Sequence, residues 1–423
     1  MTQNSTRPGS HGIFYGWWNV AASFVGLSLS YAMFTVFSFG VFVTPLEAEF
    51  GWSRAEISVA LTITNITIVI CSPLVGSLVD RAGVRRVLIP SIVLMGLAVS
   101  SMYLMQDHIL HFYAMYLLIP LLGAGTLPLS YSRVVVAWFA RRRGLALGIS
   151  LAGFGVGAAL IPPLGQWLIA NFGWREAYLA FGAAIFLINL PLTVLLMRES
   201  PSKMGLQPDG KAPRAKDTVA LDPHAGLTGR EAARTFSFWY VFSSFLLVGF
   251  GVTSILAHLV PMLIGRGIDP TTASLYMGSL GAGLVIGRIL AGHLMDRYFA
   301  PYVTGLFLTL MLLGIMVLAT NVSGPVLLLA VVSIGLALGS EISEIAYIVS
   351  RYFGPRAFGQ IYGTMFAAFQ LGSAFGAPAF GLYYDHAGNY IGALWGIAGV
   401  VFVGIVLILR LGPYPDLATE KPA

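Results

Sequence analysis

Gly76-Ser77-Leu78-Val79-Asp80-Arg81 recurs, 216 residues later, as Gly292-His293-Leu294-Met295-Asp296-Arg297. Each copy closes a long apolar stretch, 54–79 for the first and 271–295 for the second. Working outward, ten further segments reach the ~20 apolar residues that a helix needs to cross a bilayer. Five lie around the first copy (15–46, 87–106, 110–139, 144–170 and 174–197) and five around the second (237–264, 301–320, 325–352, 357–384 and 390–410). The copies therefore mark the second and eighth of twelve spans. Trp138-Phe139 at the end of span four is echoed by Tyr352-Phe353 at the end of span ten. An all-α membrane protein of two six-helix halves, 1–197 and 237–423, is predicted, as in folds built from parallel repeats. Residues 198–236, with Pro201, Pro208, Pro213 and Pro223 among Lys203, Lys211, Arg214 and Lys216, read as a polar linker. Asp80-Arg81 and Asp296-Arg297 are candidates for a latch between neighbouring helices. Solvated loop charges, the plainer reading, do not require a second copy in the matching place.

Composition agrees with a polytopic membrane protein. Of the 423 residues 57% are hydrophobic and only 10% charged, with a mean hydropathy of +0.80; soluble domains carry about 25% charged residues. A net charge of +6 and a pI near 9.4 do not point to nucleic acid, because the basic residues are dispersed among short loops. Nineteen of the 24 Lys and Arg residues fall on the side that holds the linker and both termini. Arg54, Arg175 and Arg266 fall on the other, and Arg133 and Arg288 lie within spans. Cytoplasmic loops carry the positive excess, so both termini and the linker are expected in the cytoplasm and the chain in the cytoplasmic (inner) membrane. The apolar stretch after residues 1–13 is too long for a signal-peptide core and reads as a retained first span. Cys71 is the single cysteine, so no internal disulfide is possible. Nothing resembles a catalytic triad or a metal cluster; no enzyme, no cofactor and a monomer are expected.

Four ionisable side chains fall where lipid should be: Arg133, Arg288, Glu341 and Glu344. A charge at mid-bilayer costs at least ~2.5–3.5 kcal/mol and persists beside a polar cavity, a partner or a ligand. Arg288 precedes Asp296 by eight residues and Arg133 precedes Arg141 by eight, roughly 12 Å of helix at 1.5 Å per residue. That places one arginine in each half, well below the surface. Guanidinium stays charged at any physiological pH and presents a planar fork matched to carboxylate, which argues for an anionic ligand. The competing reading is a structural ion pair with Glu341 or Glu344, and Arg133 is near enough to the basic loop to snorkel toward it. Glu341 and Glu344, three apart, share a helix face. Two carboxylates that close rarely both ionise, so one is a candidate proton carrier and the other balances an arginine; alternatively both neutralise the two arginines.

Trp138-Phe139-Ala140-Arg141-Arg142-Arg143-Gly144-Leu145-Ala146-Leu147-Gly148, continuing to Ala152-Gly153, joins an aromatic pair, a basic cluster, Leu-Ala and spaced glycines. With twelve spans and the repeated G-x-x-x-D-R loop, this resembles the major facilitator superfamily over almost the whole chain, and within it the monocarboxylate transporter and oxalate/formate antiporter group. Tyr15-Gly16-Trp17-Trp18 keeps the glycine and aromatics of that group's span-one signature without its preceding acid. The resemblance implies that Arg288, in Gly287-Arg288-Ile289-Leu290-Ala291-Gly292, is the span-eight arginine that binds the substrate carboxylate. Many members carry an aspartate one turn earlier, where this chain has Leu284.

Tyr31, Asn65, Tyr131, His258, Tyr347 and Gln370 are polar groups in apolar runs. Each is a candidate donor to a carboxylate and, equally, to a neighbouring helix backbone. Gly148, Gly153, Gly155 and Gly157, and Gly372, Gly376 and Gly381, permit close helix contact and sliding. A phosphate-cradling loop is excluded, since no strand precedes them and no Lys-Ser/Thr follows. Pro73, Pro128, Pro162, Pro163, Pro261 and Pro378 can bend spans. The expected function is secondary transport of a small organic monocarboxylate, lactate- or pyruvate-like, with protons as co-substrate, by rocking of the halves about a central site. Arg288 would hold the anion, Tyr31, Asn65 and His258 shape the pocket, and Glu341 or Glu344 exchange the proton. Alternatives are a carboxylate exchanger without protons, an exporter of drugs or metabolites with the same fold, and a non-transporting sensor. Buried arginines count against a drug exporter, and short tails against a sensor.

Overall fold

Every backbone N–H and C=O inside lipid must find a partner within the protein, so the apolar segments have to be helical. In the computed structural model, residues 14–210, 225–320 and 322–415 are described. Lys211, Pro213, Arg214, Lys216 and Pro223 of the expected linker, with 1–13 and 416–423, lie outside the described residues. Twelve helices are long and apolar enough to cross a membrane. The first six are α1 (Gly16–Phe37), α2 (Glu56–Ala82), α3 (Val84–Leu104), α4 (Ile109–Trp138), α5 (Arg143–Phe172) and α6 (Trp174–Leu196). The others are α7 (Phe236–Gly265), α8 (Thr271–Met295), α9 (Ala300–Leu318), α10 (Pro325–Tyr352), α11 (Phe358–Ala387) and α12 (Ile391–Leu409).

Local chemistry fixes several ends. Ser53 and Glu56 form a reciprocal capping box ahead of α2. Thr235 caps the Phe238 N–H at the start of α7, and Asp269 accepts from Thr271 and Thr272 N–H ahead of α8, with Pro270 in the first turn. Caps of this kind are worth about 1 kcal/mol each.

Two spans are broken at mid-length. The first, expected as one helix over 15–46, is helical at Gly16–Ser28, widens to a π-turn at Met33–Phe37 and resumes at Phe39–Phe50. Its hydroxyls contribute. Ser28 Oγ donates to the Phe24 carbonyl (2.9 Å), Thr35 Oγ1 to Tyr31 (3.0 Å) and Ser38 Oγ to Phe34 (3.2 Å), and such back-bonding competes with the helical ladder. In α4, Leu127 turns extended (φ −60°, ψ 151°) because a residue before proline is pushed out of the helical region. The breaks meet: the Tyr31 N–H donates to Thr126 Oγ1 at 3.3 Å. Of the six prolines expected to bend spans only Pro128 follows a break; Pro73, Pro162, Pro163, Pro261 and Pro378 sit inside continuous helices.

The first and last six spans touch along two glycine seams near the linker. In one, α5 lies on α8, with Gly144 against the Gly292 carbonyl and Gly148 against that of Arg288. In the other, α2 lies on α11, with Gly76 against Gly359 and the Ser72 carbonyl against Gly363. Without a hydrophobic drive between helices in lipid, such backbone contact is what holds them.

Candidate functional site

Both seams end at the linker face in a carboxylate that grips a helix start across the interface. Asp80, closing α2, accepts from Gly359 N–H (3.0 Å) and Gln360 N–H (2.8 Å) at the start of α11. Asp296, just beyond α8, accepts from Gly144 N–H (2.6 Å) and Leu145 N–H (2.9 Å) at the start of α5. Four N–H groups that begin an α-helix lack internal partners and carry its positive end, so each aspartate satisfies two of them with a full charge. Within the repeated Asp-Arg motif it is the acids that make the cross-interface contacts. Arg81 and Arg297 are exposed, and the ion pair of Asp80 is with Arg133 (Nε, 3.2 Å).

Arg133 consequently sits in this latch, with Nη1 also on the Pro355 carbonyl at 2.6 Å, and not among the central charges. The eight-residue ruler misleads here because α4 ends at Trp138 and Phe139 is extended. Only five residues of helix separate Arg133 from that end, against seven from Arg288 to the end of α8. Tyr347 belongs to the latch as well, near Asp296, Arg143 and Arg351. Arg143, assigned from sequence to a loop, starts α5 and is 1% exposed; its Nε donates to the Phe139 carbonyl and Nη1 to Ser350 Oγ.

Burial pushes the Asp296 carboxyl up to about 6, against the opposing pull of the Leu145 and Gly144 N–H groups and Arg143. An Asp296 freed into water returns toward 3.8. The latched form therefore binds the proton more tightly, and latching weakens as pH rises from about 4 to about 6 and is level above. Opening of the linker face, followed as spin-label distance across it, should rise over that window. Asp296→Asn should flatten the profile.

Deeper lies a second group. Arg288 is 2% exposed and bridges both sets of spans, with Nε donating to the Gly339 carbonyl of α10 and Nη1 to the Leu151 carbonyl of α5, each at 2.8 Å. Among the described residues no carboxylate is within ion-pair distance of it. Glu341 is its nearest acid in charge terms, with Tyr362 beside it. Glu341 and Glu344 are 1% and 0% exposed. Glu341 Oε1 and both Glu344 oxygens lack a hydrogen-bond partner, and Glu344 lies beside the Ser340 and Thr304 hydroxyls. Leu284 packs its side chain on Gly155, so the acid near Arg288 comes from α10 and not from the preceding turn of α8.

The remaining candidates are dispersed. Asn65 and Gln370 are half-buried on α2 and α11. Tyr31 is buried at the α1–α4 break, and Tyr131 packs on Gly26 within the first six spans. His258 is held by Tyr390 (Nδ1 to the hydroxyl, 3.2 Å) and by the Ala377 carbonyl (Nε2, 3.0 Å), which commits both ring nitrogens to neighbours on α11 and at the start of α12. Sequence reading missed Arg143, whose signal was its place beside the helix-starting Gly144, and Tyr362, which nothing in the sequence sets apart from other aromatics.

The sequence profile of the Major Facilitator Superfamily matches residues 23–377. Monocarboxylate transporter 13 of Rattus norvegicus is 25% identical over 421 residues, covering 96% of this chain and 92% of the relative. Monocarboxylate transporter 11 of Homo sapiens is 28% identical over 420 residues, covering 97% and 85%. The structure of the proton:xylose symporter XylE bound to 6-bromo-6-deoxy-D-glucose superposes with a TM-score of 0.75 at 16% identity, covering 95% of this chain and 96% of that one. At that identity the likeness is one of fold.

Proposed function

The chain belongs to the major facilitator superfamily, and we propose that this multi-pass membrane transporter carries small organic monocarboxylates, lactate- or pyruvate-like, together with protons across the cytoplasmic membrane. The observation that carries the reading is Arg288: a permanent charge in the seam between the two sets of spans, bonded to main-chain carbonyls and to no carboxylate. A carbonyl is a weak partner for guanidinium, and a substrate carboxylate offers two stronger, charge-assisted bonds in its place. The naming of the relatives supports the same substrate class.

In this reading the substrate anion takes the Arg288 fork from the Leu151 carbonyl. Glu341, which then loses its nearby countercharge to the anion, takes up a proton, so that a monoanion and a proton cross together without net charge. Glu344 stays as the second titratable group of the pair. The two six-span sets rock about this level, and the Asp80 and Asp296 latches close the linker face. The skewed distribution of Lys and Arg supports assigning that face to the cytoplasm. Proton-free carboxylate exchange is the second reading, favoured by Leu284 where the family carries an acid.

Uptake of labelled lactate into proteoliposomes decides between them. An inward proton gradient of one pH unit should raise accumulation up to about tenfold, and Glu341→Gln should erase that gain. Uptake that ignores the gradient and needs internal counter-substrate would establish exchange instead.

A further inference from the structure

Arg141 and Arg356 occupy matching places, each three residues before the glycine, Gly144 or Gly359, that a cross-interface aspartate grips. The linker takes the main-chain N–H of both. Arg141 N–H donates to Asp209 Oδ2 at 2.7 Å, joined by Ala140 N–H at 2.9 Å. Arg356 N–H donates to the Ala225 carbonyl at 3.1 Å, beside the Leu227 N–H on the Phe353 carbonyl at 2.9 Å. Each described arm of the linker, 198–210 and 225–235, thus binds the loop ahead of a latch helix in its own set of six spans.

The arms differ in where their charge falls. The α11 loop receives a neutral carbonyl on its main chain and Glu231 only at 3.9 Å from the exposed Arg356 guanidinium. The α5 loop receives a carboxylate on its main-chain N–H groups, and the buried Arg143 follows on that side. Arg143 has its bonds to Phe139 and Ser350, with Asp296 and Asp209 as nearby acids and Arg351 as an opposing charge. Ser350 and Asp296 belong to the last six spans and leave when the linker face opens; Phe139 and Asp209 remain. A buried arginine stripped of its partners costs several kcal/mol, so the open state needs a resident acid. Asp209 Oδ1 is buried without a hydrogen-bond partner in the latched form. The residue is the one non-glycine held at positive φ (54°) among the described residues, a conformation that costs roughly 1–2 kcal/mol and that the two N–H bonds offset.

We infer that Asp209 is a positioning residue of the transport cycle: the resident carboxylate that takes over Arg143 and the start of α5 when Asp296 departs. The inference rests on alternating access, and it gives the linker a part in setting how readily the linker face opens. A device that merely held the face shut would have the opposite effect when removed.

The only cysteine, Cys71, permits a clean reporter. In a Cys71→Ser background, Ala357→Cys places a thiol at the start of α11, 8% exposed under the latch. A membrane-impermeant maleimide applied to the linker face of reconstituted protein reports how often it opens. Asp209→Ala and Asp209→Asn should each slow alkylation about tenfold, as expected for loss of one charged partner, with the affinity for lactate little changed. Asp209→Asn keeps the shape and an oxygen for the Arg141 N–H, so it separates lost charge from lost folding. Faster alkylation, or an unchanged rate in both variants, overturns the inference. A reporter that never reacts in otherwise wild-type protein, with or without lactate, removes alternating access itself and the inference with it.

Discussion

Arg288→Ala should lower lactate-class uptake at least about thirtyfold, and Arg288→Lys should recover little of it. Truncating one member of a buried, hydrogen-bonded charge pair costs about 2–5 kcal/mol, which is a factor of roughly 30 to several thousand. Lysine keeps the charge but presents a point donor where two parallel N–H groups are needed. It cannot reach the Leu151 and Gly339 carbonyls in the same fork, so the empty site is loosened as well. Two measurements keep this from being a statement about folding. In wild type, a saturating monocarboxylate should raise the thermal midpoint, because a ligand that binds only the folded state stabilises it by about 2.7 kcal/mol at a hundred times its dissociation constant. In Arg288→Ala that ligand-induced rise, measured from the variant's own unliganded midpoint, should disappear. Persistent stabilisation by lactate would show that the anion binds elsewhere and would end the assignment.

The spans were legible because length and hydropathy are one-dimensional properties, and a bilayer enforces them with a penalty that no tertiary contact offsets. The break in α1 was not, although Ser28, Ser30, Thr35 and Ser38 were all in view. Hydroxyls in membrane helices usually bond back without interrupting the ladder, and what tips the balance here is the facing break at Leu127, a partner 95 residues away or more. Arg288 could be placed from its spacing because an unbroken helix joins it to Asp296. Arg133 could not, because the ruler ran past the end of α4 into extended backbone. The repeat marked Asp80 and Asp296 as a matched pair of acids. It could not show that those acids bind helix starts across the interface, since the N–H groups of Gly144 and Gly359 carry no sequence signature beyond glycine itself.

A neighbouring glycine of the same seam, Gly148, makes the second large effect. Gly148→Ala adds one carbon, and in an isolated helix that change is worth up to about 1 kcal/mol in favour of folding. In this seam the new Cβ would stand 2.6 Å from the Arg288 carbonyl oxygen and 3.2 Å from the Ile289 Cα. Both are main-chain atoms of α8, so neither yields by changing rotamer and the helices must part. Overpacking of this order costs about 1–3 kcal/mol, charged entirely to the form in which α5 and α8 touch. Turnover should fall about ten- to a hundredfold, while the cysteine reporter at position 357 reacts faster from the linker face and the thermal midpoint stays near wild type. Gly155→Ala supplies the contrast on the same helix, because its Cβ meets only Leu284 Cδ2 at 3.4 Å and Val285 Cγ2 at 3.6 Å, side-chain ends that can yield. It should transport within about threefold of wild type, the range of surface-like substitutions. Equal loss in both variants would mean that general crowding of α5, and not backbone contact at the latch end of the seam, limits the cycle.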